Sequence, residues 1–179
     1  GGGGGPVEAS GCRAGPESGE GGRRECSEGS SLPVRPVRHV WDVREVLGPE
    51  HSAMSEVGAH KMWMSRMYRA ERPHTCIISN GFAAMGIAVP GAIAAKLAYP
   101  DKQVIAVTGD AGFMMNSQEI ETALRLKTPF VILLWTDYEY GLLTWHPLRP
   151  SGRPASTPFN NPRFRQYPGS FAPSGLRDR

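Results

Sequence analysis

Cysteine is scarce in this sequence, with Cys12, Cys26 and Cys76 the three present. Their odd number excludes a closed disulfide framework and their spacing matches no zinc site, so a reducing, cytoplasmic setting is expected. Long apolar runs are missing too. The most apolar stretch, residues 81–95, is broken by Pro90 and Gly91 and ends at Lys96, short of the roughly 20 residues that span a bilayer. No membrane helix or signal peptide is expected. Charge of one sign is not in excess: 20 Lys and Arg against 17 Asp and Glu leave a net +3. Several arginines lie in the Pro-rich carboxyl-terminal stretch rather than on one helix face, so nucleic acid is not an expected partner. Nucleotide signatures are absent as well. Gly81 and Gly86 have the spacing of a phosphate loop, but Ile87-Ala88 stands where Lys-Ser/Thr is required, and no dinucleotide fingerprint occurs.

The 179 residues suffice for one ordinary α/β domain and leave little room for a second core. Residues 1–31 hold 11 of the 22 glycines, and Val7 is their only aliphatic side chain larger than alanine. A stretch with so little to bury is expected to be disordered, which sets a Gly-rich tail at 1–32. The chain opens on glycine rather than methionine, as a piece of a longer protein would. A domain core is expected over 33–147. Beyond Trp145 there are seven prolines in 34 residues, so 148–179 reads as a Pro/Arg-rich continuation poor in regular structure.

From Val34 onward helical and strand patterns alternate without an internal repeat, which predicts a doubly wound parallel sheet. Val37, Val40, Trp41, Val43, Val46 and Leu47 form a helical stripe ending at Gly48-Pro49. A short strand is predicted over 51–56, a turn at Gly58, a helix carrying Met62, Met64, Met67 and Tyr68, and a brief β run at 75–79. A further helix is expected over 84–98. The run Gln103-Val104-Ile105-Ala106-Val107-Thr108 suits a strand buried on both faces. Asn116 with Glu119 has the spacing of a capping box, predicting a helix from about Ser117 to Lys127 or Thr128. Phe130 to Trp135 is the next buried strand.

Asp110 lies just past one of these strands and Asp137 just past the next, with a single crossover between them. In a right-handed βαβ unit the helix carries the chain back and the second strand returns it, so both carboxylates reach the same sheet edge. That is the carboxyl edge, where open α/β sheets put their ligands. Two hard oxygen donors there suit Mg²⁺, which completes its shell with phosphate and water. The same edge offers anion-binding backbone at Gly109-Asp110-Ala111-Gly112, and at Gly58-Ala59-His60 where a helix begins. Taken singly, each piece has an ordinary reading: an Asp after a strand is a turn residue or cap, His60 is a half-exposed surface histidine, and Met62, Met64, Met67 and Met85 are core filler. Their joint occurrence is what those readings leave unexplained.

The segments Gly109-Asp110-Ala111-Gly112, Met115-Asn116-Ser117-Gln118-Glu119-Ile120-Glu121-Thr122-Ala123 and Trp135-Thr136-Asp137-Tyr138-Glu139-Tyr140-Gly141 together resemble the thiamine-diphosphate motif of the acetolactate synthase family. Val57-Gly58-Ala59-His60-Lys61-Met62-Trp63 and Ser79-Asn80-Gly81-Phe82-Ala83-Ala84-Met85-Gly86-Ile87-Ala88-Val89-Pro90 are similar to its other two cofactor-contacting segments. Phe159-Asn160-Asn161-Pro162 and Ser170-Phe171-Ala172 echo it further on. The wording is nearest the catabolic, flavin-independent type. The resemblance implies a thiamine-diphosphate-binding fold, truncated at its carboxyl end. It implies Mg²⁺ held by Asp110, Asp137 and the main-chain oxygen of Glu139. Gly58, Ala59, His60, Gly109, Ala111 and Gly112 would face the diphosphate, the Ala83 carbonyl would take the aminopyrimidine, and Met85 would wedge between the cofactor's rings. Thr136 departs from an expected Asn, and Tyr138 and Glu139 from small polar residues.

The implied function is that of the cofactor domain of an acetolactate-synthase-like transferase joining two pyruvates into 2-acetolactate and CO₂, a reaction of branched-chain amino acid biosynthesis and of the acetoin pathway. In that family a glutamate on a separate pyrimidine-binding domain activates the cofactor. No catalytic acid or base is therefore assigned in this chain, and the missing domain is expected from another polypeptide across a homo-oligomer interface. Two alternatives stay open: a non-catalytic fragment, and the cofactor domain of a sibling decarboxylase or carboligase.

Overall fold

The computed structural model describes residues 35–145 and 157–171. The Gly-rich tail expected at 1–32 lies outside these residues, as does much of 148–179. The first helix, α1 (Pro36–Val46), starts with proline at its amino end, where a missing N–H costs nothing, and Arg44 donates to the Leu47 carbonyl at 2.6 Å just past its last turn. Then follow β1 (Ser52–Ser55), α2 (Ala59–Met67), β2 (Cys76–Ile78), α3 (Ala88–Ala98) and β3 (Val104–Gly109). After these come α4 (Asp110–Asn116), α5 (Glu119–Leu126), β4 (Val131–Trp135), α6 (Gly141–Trp145) and a 3₁₀ turn at Pro168–Phe171.

All strand pairs are parallel, in the order β2-β1-β3-β4. Strand side chains alternate, so each face of the sheet gathers its own core. Ala53, Ile105, Val107, Leu133 and Trp135 face α1 and α2 with Val40, Leu47 and Met64. Met54, Val104, Ala106 and Ile132 face α3 with Ala88 and Ala92, and Val89, Ile93 and Phe113 extend that second core toward α5. With helices on both faces of an all-parallel sheet, the fold is the doubly wound α/β arrangement the sequence predicts. The chain runs outward from β1 to β2, returns, and runs the other way from β3 to β4. The reversal places a switch point between the carboxyl ends of β1 and β3, and a crevice opens there.

Three local expectations change. The helix expected from residue 84 starts at Ala88, because Ala83 has φ 51° and Gly86 φ 90°, conformations that a right-handed helix cannot include. The capping box of Asn116 and Glu119 does not form. Asn116 instead donates to the Gly86 carbonyl at 2.8 Å, and α5 has no side-chain cap at its start. The ordinary reading of Asp110 as a turn residue or cap gives way to a place inside a helix, as the first residue of the short α4. Within the carboxyl-terminal stretch, residues 157–171 pack onto the domain through Phe164 and Tyr167, which meet Phe113 edge-on at ring separations of 5.6 and 5.8 Å.

Candidate functional site

The β3–β4 register pairs Gly109 with Trp135, so the residues that follow emerge side by side at the sheet's carboxyl edge. Asp110 is buried, and its Oδ2 accepts the N–H groups of Asp137 at 3.2 Å and Tyr138 at 2.9 Å. The same oxygen accepts Asn161 Nδ2 at 2.6 Å, and Oδ1 accepts the Ala111 N–H at 2.9 Å. Charge-assisted bonds of this kind are the strong ones. They fold residues 136–139 over Asp110, with Tyr138 in the left-handed region at φ 63°. Burial, then the like charge of Asp110, raises the pKa of Asp137, against the opposing pull of the Glu139 main-chain N–H that donates to its carboxylate.

Above this pair lies a cavity of about 630 Å³. Its walls include Gly58, Ala59, His60, Met85, Gly109, Asp110, Ala111, Gly112, Asp137 and Glu139. Four separate parts of the chain therefore deliver predicted site residues to one space. Ala83 does not line it. That residue stands two positions before Met85 in the left-handed conformation, a strained state that a non-glycine residue adopts at some energetic cost.

His60 is only 3% exposed, which overturns its reading as a half-exposed surface histidine. Burial pushes its pKa down to about 4, against the opposing pull of a main-chain hydrogen bond to Glu56 and the charge of Asp110. The ring is thus neutral at pH 7. Gly58 makes room for it: a Cβ at that position would lie 2.6 Å from the imidazole Cε1. His60 packs edge-on against Trp135 at 5.8 Å, and Trp63 and His39 reach the same indole at 5.6 and 5.7 Å. The buried His60 Nε2, Trp135 Nε1 and Asn161 Oδ1 have no hydrogen-bond partner. The first two belong to residues that line the cavity, and the third belongs to the amide that holds Asp110. Leaving such atoms bare costs on the order of 1–3 kcal/mol each, so they fit a polar occupant.

Among the described residues, no three His, Cys, Asp or Glu side chains converge as a metal site. A cation here would take the two carboxylates with main-chain, amide or ligand oxygens, a donor set of the kind hard divalent ions accept. Sequence reasoning missed two participants. The family resemblance gives Asn161 no role, and the sequence pattern places Glu56 only at the end of a strand. Glu56 is 1% exposed, and its carboxylate accepts the Gly86 N–H and the Thr108 hydroxyl. Burial raises its pKa to about 7. Among the described residues, no helix is long and apolar enough to cross a membrane.

Residues 56–177 match the family described as thiamine pyrophosphate enzyme, C-terminal TPP binding domain. Among curated proteins the chain is similar to an acetolactate synthase of Bacillus subtilis, 35% identical over 157 residues, covering 84% of this chain and 28% of that protein. It is 37% identical over 155 residues to a mitochondrial acetolactate synthase catalytic subunit of Saccharomyces cerevisiae, covering 86% and 23% respectively. A catabolic acetolactate synthase of Raoultella terrigena is 29% identical over 143 residues, covering 80% and 26%. The chain spans about a quarter of the length of these relatives.

Proposed function

Because the chain belongs to the thiamine pyrophosphate enzymes, through their C-terminal cofactor-binding domain, we propose that it holds thiamine diphosphate through Mg²⁺ as the cofactor domain of an acetolactate-synthase-like enzyme. The observation that carries the magnesium is the pairing of Asp110 and Asp137 at one sheet edge, where two like charges gain from a divalent cation between them. Asp110, Asp137 and the Glu139 carbonyl would hold the ion. Gly58, Ala59, His60, Gly109, Ala111 and Gly112 would surround the diphosphate. The amino end of α2, at Gly58 and Ala59, brings partial positive charge to that phosphate. Met85 would wedge between the two rings, and Ala83 would offer its carbonyl to the aminopyrimidine.

Thiamine diphosphate, when bound, supplies the carbon nucleophile that adds to a keto acid. The residues of this chain bind, orient and exclude water, and none is assigned as an acid or base. His60, neutral and walled in by Trp135, excludes water from the diphosphate end. A pyrimidine-binding domain of a partner subunit is proposed to close the other end. Supporting that reading, Phe82 is fully exposed, and Ile87, Met114 and Met115 are also exposed around the Ala83–Gly86 turn. Such an apolar rim fits a protein surface better than water. Pyruvate is the proposed substrate and 2-acetolactate the proposed product, a reading supported by similarity to proteins named as acetolactate synthases, and a cytoplasmic setting is proposed with it.

Calorimetric titration with thiamine diphosphate tests the reading. Binding that needs Mg²⁺ and disappears in Asp110→Asn supports it. A folded chain that binds with equal affinity in EDTA, or not at all, removes it. Product analysis of pyruvate turnover with an added pyrimidine-binding partner separates acetolactate formation from decarboxylation or another carboligation, and an inert mixture favours a non-catalytic fragment.

A further inference from the structure

Gly86 is held from both sides by residues with no role in the reading above. Its N–H donates to the buried Glu56 carboxylate, which leaves the carboxyl end of β1. Its carbonyl accepts Asn116 Nδ2 at 2.8 Å from the carboxyl end of α4. The peptide fits this clamp only as glycine. Its φ is 90°, and a Cβ would lie 2.5 Å from Asn116 Nδ2. Glu56 reaches further, accepting the Thr108 hydroxyl of β3. It also lies so close to α4 that a Cβ at Gly112 would stand 2.6 Å from its Oε2.

These contacts join the two ends of the cavity. Helix α4 begins at Asp110 and ends at Asn116, so its seven residues set a spacing of roughly 10 Å at 1.5 Å per residue. One end carries the carboxylate at the diphosphate side. The other fixes the turn that bears Ala83 and Met85. We propose that Glu56 and Asn116 are positioning residues that clamp the Gly86 peptide onto α4, so that this helix sets the distance between the diphosphate end of the cofactor site and the Ala83–Met85 platform under the pyrimidine. The inference rests on the thiamine-diphosphate reading and adds to it how the platform is placed.

The test compares two ligands in the full chain by calorimetry: thiamine diphosphate with Mg²⁺, and inorganic pyrophosphate with Mg²⁺. Pyrophosphate occupies only the diphosphate end. Asn116→Ala is expected to weaken thiamine diphosphate at least tenfold while leaving pyrophosphate within about twofold of wild type. Asn116→Asp, which has no donor for the Gly86 carbonyl, is expected to give the same split and serves if the alanine variant does not fold. Glu56→Gln keeps an acceptor for Gly86 and is expected to stay within about threefold for both ligands. Equal losses for both ligands in the Asn116 variants, or no loss for either, overturn the clamp while leaving the cofactor reading intact. A folded wild-type chain that binds neither ligand overturns both.

Discussion

The carboxylate of Asp110 accepts the main-chain N–H of Asp137 at 3.2 Å, so the first acidic residue at the sheet edge folds the loop that carries the second. Asp110 thereby has a structural task besides any metal. In Asp110→Asn an amide N–H₂ would face donors at Tyr138 and Asn161. We expect a loss of stability on the order of 1–3 kcal/mol together with loss of Mg²⁺-dependent thiamine-diphosphate binding. Denaturant melts and a metal titration read the two effects separately. Unchanged Mg²⁺ dependence in a folded variant counts against the metal assignment.

Asn161 reaches Asp110 from beyond the sheet at 2.6 Å. Replacing it with alanine removes a bond to a charged acceptor, worth about 1.5–3 kcal/mol, and loosens the hold of residues 157–171 on the site. Lower thermal stability and weaker Mg²⁺ affinity should appear together. If both match wild type, Asn161 has no part in shaping the carboxylate pair.

Glu56 gives a pH signature. Its pKa is raised from 4.5 to about 7 by burial, so the folded state favours the protonated form. The stability it contributes is full below pH 4.5 and is lost as pH rises through 7. His60 runs the other way: its pKa falls from 6.5 to about 4, so its contribution is present above pH 6.5 and lost on acidification. The difference between wild type and Glu56→Gln isolates the glutamate. From pH 4.5 to 8 the wild type should lose ground to Glu56→Gln, by at most on the order of 3 kcal/mol. Parallel stability curves across that range would contradict a carboxyl that must ionise in place.

Gly112 leaves no room for a side chain, since a Cβ would sit 2.6 Å from Glu56 Oε2. Gly112→Ala is expected to destabilise by about 1–3 kcal/mol through overpacking. Adding Glu56→Ala should recover part of that loss. A double-mutant cycle with coupling below about 0.5 kcal/mol would show that the two residues do not press on each other.

Much of the frame was legible because it rests on local pattern. The runs before Asp110 and Asp137 are short and apolar, as strands of a parallel sheet are, and their pairing puts both acids at one edge. Only the first is buried, because the second, β4, is the edge strand, with Val131 exposed and its other residues half-buried. Gly58 and Gly112 sit at close approaches, to His60 and Glu56, whereas a Cβ at Gly109 would make only ordinary contact. The start of α3 and the capping box were misread for one shared reason. Asn116, Gly86 and Glu56 satisfy one another across about 30 residues of chain, and such a partnership overrides the local signals that spacing and propensity carry.

By itself the sequence determined an α/β chain with two acidic residues at consecutive strand ends, because alternation, turn residues and strand length are properties of neighbours along the chain. Only the tertiary structure decided which polar groups those acids meet. It buried His60 against Trp135, brought Asn161 to Asp110 across 51 residues, and set Glu56 between Thr108, Gly86 and Gly112. Contacts at that separation form when the sheet closes its order and the helices cover both faces, and no stretch of sequence encodes them alone.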